Sequence, residues 1–159
     1  MAEEDTSPKL KNEVIKRVKS IVGALLYYYQ AFHNRLLVGL SAIGAQQASA
    51  TEKTAADIDQ ILDHAATYTN DCITYQASDM ILAAHSDSGF NNESKARSRD
   101  GDHTFLSEND PKPKWNGDIL TISQIIKFLT SSAAESELGA LYTTAKEMVP
   151  VRQTLIEMG

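Results

Sequence analysis

The sequence predicts an α+β fold: a segment of three helices, then a mixed sheet with covering helices. Three observations carry this. Apolar residues recur at helical spacing through the first 68 positions, a turn signal at Thr69, Asn70 and Asp71 ends that pattern, and runs of β-branched and aromatic residues follow before a last helical stretch.

Residues 1–11 lack periodicity and contain Pro8, so they read as a disordered tail. Residues 12–68 form the helical segment. Val14, Val18, Ile21, Val22, Leu25, Leu26 and Tyr29 make one apolar stripe, with Lys11, Arg17 and Lys19 off it, which describes an amphipathic helix of about five turns. Leu36, Leu40 and Ile43 supply a second pattern, and Ala55, Ile58, Ile61, Leu62 and Ala65 a third. Ser49 with Glu52 has the spacing of a capping box, in which hydroxyl and carboxylate each satisfy a free N–H of the first turn.

Residues 69–159 read as the sheet domain. Residues 73–87 suggest two short strands about a turn at 76–79, a polar loop through Gly89, Asn91 and Asn92 leads to a strand at 102–107, and residues 119–128 supply a further strand. Ser132 and Glu135 then form another capping box, and Ala134, Leu138, Leu141, Tyr142 and Ala145 define the buried face of the helix that follows. Pro150 lacks the N–H that would continue the ladder, so a break is expected near Val149.

The composition, 42% hydrophobic and 23% charged, is that of a chain able to form a core. A net charge of −6 is shared evenly, with seven basic and ten acidic residues in 1–80 and eight and eleven in 81–159. Neither half is a basic module of the kind that gains affinity by displacing counterions from a phosphate backbone. The single cysteine, Cys72, excludes an intramolecular disulfide and fits a reducing, intracellular compartment, cytoplasmic or nuclear. The acidic N-terminus and the short apolar runs predict a soluble chain with no membrane partner.

Few residues point to chemistry. The histidines, His33, His64, His85 and His103, show no metal-ligand spacing, and dinucleotide, P-loop and serine-hydrolase motifs are absent. Asp87 ends the apolar run MILAAHSD, where a carboxylate at a strand tip can meet groups from a neighbouring helix. Glu135 and Glu137 flank the apolar stripe of the last helix, where acids also complement the macrodipole. Lys95, Arg97 and Arg99 form a small basic cluster, a weak candidate for nucleic-acid contact and more often a solvated edge than a phosphate clamp.

Taken in order, LAAHSDSGFNNESKARSRDGDHTFLS and ILTISQIIKFLTSSAAESELGALYTTAKEMVPVRQTLIEMG resemble the RNase H domain of copia-type retrotransposon polyproteins. IKRVKSIVGALLYYYQA is similar to the element just after reverse transcriptase in the same polyproteins, the connection region. The resemblance implies a truncated RNase H-like mixed sheet with covering helices, and a site in which four acids bind two Mg²⁺ ions that hydrolyse the RNA strand of an RNA–DNA hybrid. Asp87 in HSDSGF and Glu137 in SSAAESEL match two of those acids, as catalytic residues and metal ligands, and Glu135 matches a neighbouring acid that is usually not a ligand. Gly89 and Phe90 stand where many relatives carry a second acid and a tryptophan, and the third and fourth acids would lie beyond Gly159.

Two Mg²⁺ ions need more oxygen ligands than two carboxylates supply, so Mg²⁺ should bind weakly or not at all and the chain should be inactive alone. The implied partners are the RNA–DNA hybrid, by ancestry only, and the remainder of the polyprotein, with self-association through an unpaired sheet edge. The alternatives are a non-catalytic protein-interaction module derived from the element, or a decayed reading frame.

Overall fold

The computed structural model describes residues 5–32 and 34–159. Among them are four α-helices and three strands: α1 (Asn12–Ala31), α2 (Leu37–Gln46), α3 (Glu52–Thr67), β1 (Ile81–Glu93), β2 (Arg97–Ser107), β3 (Asp118–Ile125) and α4 (Ala133–Met158). The class is α+β. The sheet, expected to be mixed, is antiparallel throughout in the order β1-β2-β3. No described helix is long and apolar enough to cross a membrane. The chain divides into two compact units, residues 3–73 and residues 74–159.

The helical unit is built on the apolar stripes. Val18, Val22 and Tyr29 of α1 pack with Leu37, Leu40 and Ile43 of α2 and with Ile58 and Ile61 of α3. Burying each such side chain is worth about 1.5–3 kcal/mol, so this cluster is what keeps three short helices folded. The expected tail is not free from Asp5 onward: Leu10 N donates to Ala50 O and Glu52 N to Pro8 O, both at 2.9 Å. Residues 1–4 of that tail, and His33, lie outside the described residues.

The capping box of α3 also differs from expectation. Ser49 belongs to a 3-10 turn, Gln47–Ser49, and the cap is Thr51, whose extended backbone suits the position. Thr54 N donates to Thr51 Oγ1 at 3.3 Å, and Thr51 N donates back to Thr54 Oγ1 at 3.1 Å. Asp5 completes it by accepting from the Thr51 hydroxyl at 2.5 Å and the Ser7 hydroxyl at 2.6 Å.

In the sheet unit β1 is one long strand, not two short ones. Residues 73–79 carry no regular structure, and the polar stretch expected to loop continues β1 as far as Glu93. The turn comes later, at Ser94–Ala96, where Lys95 and Ala96 take positive φ angles of 61° and 52°. Asp87 is therefore mid-strand, paired with Gly101, and not at a strand tip.

Helix α4 departs from expectation twice. It runs through Pro150 without ending, to Met158, and Pro150 is exposed. Its buried residues are Ser136, Gly139, Ala140 and Thr144, while Ala134, Leu138, Leu141, Tyr142 and Ala145 are exposed. Close approach decides the orientation: a Cβ added at Gly139 would stand 2.9 Å from Phe128 Cζ, so only a small-residue face fits against this sheet unit.

Candidate functional site

Strand alternation and register sort the residues of the sheet onto two faces. One carries Ser86 and Ser88 of β1, Asp100, Asp102 and Thr104 of β2, and Ile122 and Gln124 of β3. The other carries His85 and Asp87, then Arg99, Gly101, His103 and Phe105, then Thr121 and Ser123.

Helix α4 lies on the first face. Thr143 and Gln124 reach Asp100, and Thr144 reaches Asp102. Asp100 and Asp102 are 1% and 5% exposed. Thr104 Oγ1 donates to Asp102 Oδ1 at 2.8 Å, but Asp102 Oδ2 and both Asp100 oxygens have no partner at hydrogen-bond geometry. Ser88 Oγ, Ser136 Oγ and Thr144 Oγ1 are buried without partners as well. Burial, the dominant cause, pushes both carboxyls above the usual carboxylate range, against the smaller opposing influence of the neighbouring hydroxyl and amide groups.

The second face is partly open. Phe105, fully buried, is overlaid by a stack in which Trp115 lies 4.6 Å from the His85 ring and 4.9 Å from the His103 ring, centroid to centroid. Arg99 is held by Glu93 at 2.6 Å. The basic cluster read in the sequence is thereby broken up: Arg99 is buried in an ion pair, Arg97 Nε donates to Ser94 O at 3.3 Å, and only Lys95 is exposed.

Asp87 and Glu137 are not brought onto a common face. Asp87 is exposed on the face away from α4, its Oδ1 accepting from Ser88 N at 2.9 Å. Glu137 is exposed on α4 beyond the opposite face. The physical reason is parity: with Ser88 opposite Asp100 under α4, Asp87 must point the other way. Two solvated carboxylates separated by the sheet do not fit a shared Mg²⁺, which needs several oxygens converging in near-octahedral geometry. Among the described residues no group of three or more His, Cys, Asp or Glu could hold a metal ion.

Sequence reasoning passed over Asp100 and Asp102. The signal was present, since two acids two apart inside a strand share a face with Thr104, and on a covered sheet that face is the interior. Glu135 was read as half of a capping box. Ser132 Oγ does accept from Glu135 N at 3.1 Å, but the Glu135 carboxylate binds the N–H and hydroxyl of Ser131, both at 2.6 Å. No protein-family model, no curated protein and no solved structure matches the chain.

Proposed function

We propose that this chain is a piece of a copia-type retrotransposon reverse transcriptase/RNase H polyprotein and that it does not cleave RNA–DNA hybrids by itself. The observation that supports the ancestry is the element order. A β1–β2–β3 meander is followed directly by a long helix over one face, with HSDSGF in β1 and SSAAESEL at the start of α4, and β1 is left at the sheet edge. The reading expects Asp87 and Glu137 side by side, and their placement on opposite sides of that sheet counts against a metal site built on this pair. Mg²⁺, the hybrid substrate, the rest of the polyprotein and an intracellular location all belong to this reading.

The test is a labelled RNA–DNA hybrid incubated with the purified protein and Mg²⁺ or Mn²⁺. Intact hybrid is expected, and cleavage abolished by Asp87→Asn would overturn the claim of incompleteness. The ancestry is tested separately on the nucleotides after codon 159, which should encode, in some frame, a further strand bearing an acidic residue. A second reading, a non-catalytic interaction module, is favoured by the apolar residues that α4 presents to solvent, Leu138, Leu141 and Tyr142. Stoichiometric capture of one partner, lost on Leu141→Glu, would select it.

A further inference from the structure

We infer that α4 is held on the sheet by a proton-dependent latch: Asp100 and Asp102 occupy the interface as neutral carboxyl groups, and their ionisation releases the helix. Both lie beneath α4, with three of their four carboxylate oxygens unpartnered. An ionised carboxylate buried this way has lost its hydration and gained too little in return, the Thr104 hydroxyl at Asp102 Oδ1 being the one donor at hydrogen-bond geometry among the described residues.

Burial favours the acid form at both residues, against smaller hydrogen-bond influences. The hydroxyl proton of Thr143, the α4 residue that reaches Asp100, is committed to Gly139 O at 3.1 Å. Thr143 and the Gln124 amide still favour the Asp100 carboxylate, as Thr104 and Thr144 favour that of Asp102, but burial outweighs them at both residues. Compensation by positive charge is slight, His103 being the smallest of the influences on Asp102. From β1 the interface receives Ser86 and Ser88, and from β3 Ile122 and Gln124. The charged residues of α4, Glu135, Glu137, Lys146, Glu147, Arg152 and Glu157, are all exposed. Each aspartate has the other close by, and the nearest cationic candidate, His103, points from β2 to the opposite face.

The sign follows from the raised carboxyls. Below the ordinary carboxylate value folded and unfolded chains both hold the protons, and docking is strongest. As pH rises from the ordinary carboxylate value toward the elevated folded-state values, the unfolded chain has released protons that the folded one retains, and docking weakens.

Amide exchange of the intact protein, corrected for the intrinsic pH dependence of exchange, reads this directly. As pH rises above about 4, protection across Ala133–Met158 should fall, by as much as about tenfold per pH unit for each carboxyl ionising, while α1 serves as the internal reference. In Asp100→Asn/Asp102→Asn, whose amides mimic the neutral acids, the slope should vanish. Protection of α4 that stays level or rises with pH in the wild-type protein would overturn the latch, as would an unchanged slope in the double variant. Should that variant fail to fold, the wild-type profile of α4 against α1 decides alone.

Discussion

Thr51 joins a local cap to a distant side chain, which makes it the most informative single residue of the helical unit. It caps α3, exchanges hydrogen bonds with Thr54, and donates its own proton to Asp5. Thr51→Ala removes the capping oxygen and should cost about 0.5–2 kcal/mol in a denaturant titration followed by far-UV circular dichroism. Asp5 adds a pH dependence, because the Ser7 and Thr51 hydroxyls hold its carboxyl down to about 2 from an ordinary 3.8. A depressed acid stabilises the fold above its ordinary value and loses that contribution as pH falls through the folded one. Stability of the helical signal should therefore decline between about pH 4 and about pH 2, and Asp5→Asn should flatten that limb. None of this was legible beforehand, since a cap fed by a side chain 46 residues away leaves no local spacing to read. Asp87 failed for a related reason: its residue type and strand were legible, but its face depends on a register that one sequence does not specify.

Among the elements, α1, α2 and α3 were the easiest to read, because their stripes are apolar and their interior is apolar. Periodicity then reports burial directly. Helix α4 shows where that inference reverses. Its boundaries were half legible, with Ser132 as the cap, yet its apolar stripe faces out and its small, polar stripe faces in. The assumption that the apolar side of a helix is the buried one fails when the sheet beneath presents Asp100, Asp102 and Thr104 and requires the clearance of Gly139 and Ala140. Pro150 is the other weakness of this element. It withholds one ladder hydrogen bond from an otherwise continuous helix, at an exposed position. Pro150→Ala should raise the stability of the sheet unit by about 1–3 kcal/mol, provided α4 unfolds with the sheet. The single tryptophan, Trp115, lies in that unit and gives its unfolding a separate fluorescence signal. A midpoint that falls on substitution would mean that Pro150 is favoured where it stands.

On the scale of the whole molecule the two units differ in kind. The helical unit has nine buried apolar residues in one cluster. Buried apolar residues of the sheet unit number only three among those described, Phe105, Ile126 and Ala140, set among buried Ser98, Asp100, Asp102, Thr104, Ser107 and Asp118. Meanwhile Leu138, Leu141, Tyr142 and Val149 are each more than half exposed, so this unit hides polar groups and displays apolar ones. Among the described residues no strand neighbours the outer edge of β1, and an unpaired edge beside exposed apolar surface favours pairing with another copy. Self-association should therefore be visible by sedimentation velocity, as a weight-average mass that rises with concentration above that of a 17.4 kDa monomer. Two substitutions separate the causes. Leu141→Glu, at a position 55% exposed, should lower association through the helix face with little effect on folding, and Ala83→Pro should lower association through the β1 edge. If neither changes the mass, and the wild-type protein remains monomeric at every concentration while melting cooperatively, the polar interior of the sheet unit is sufficient for a stable fold, and the open edge and apolar helix face do not drive association.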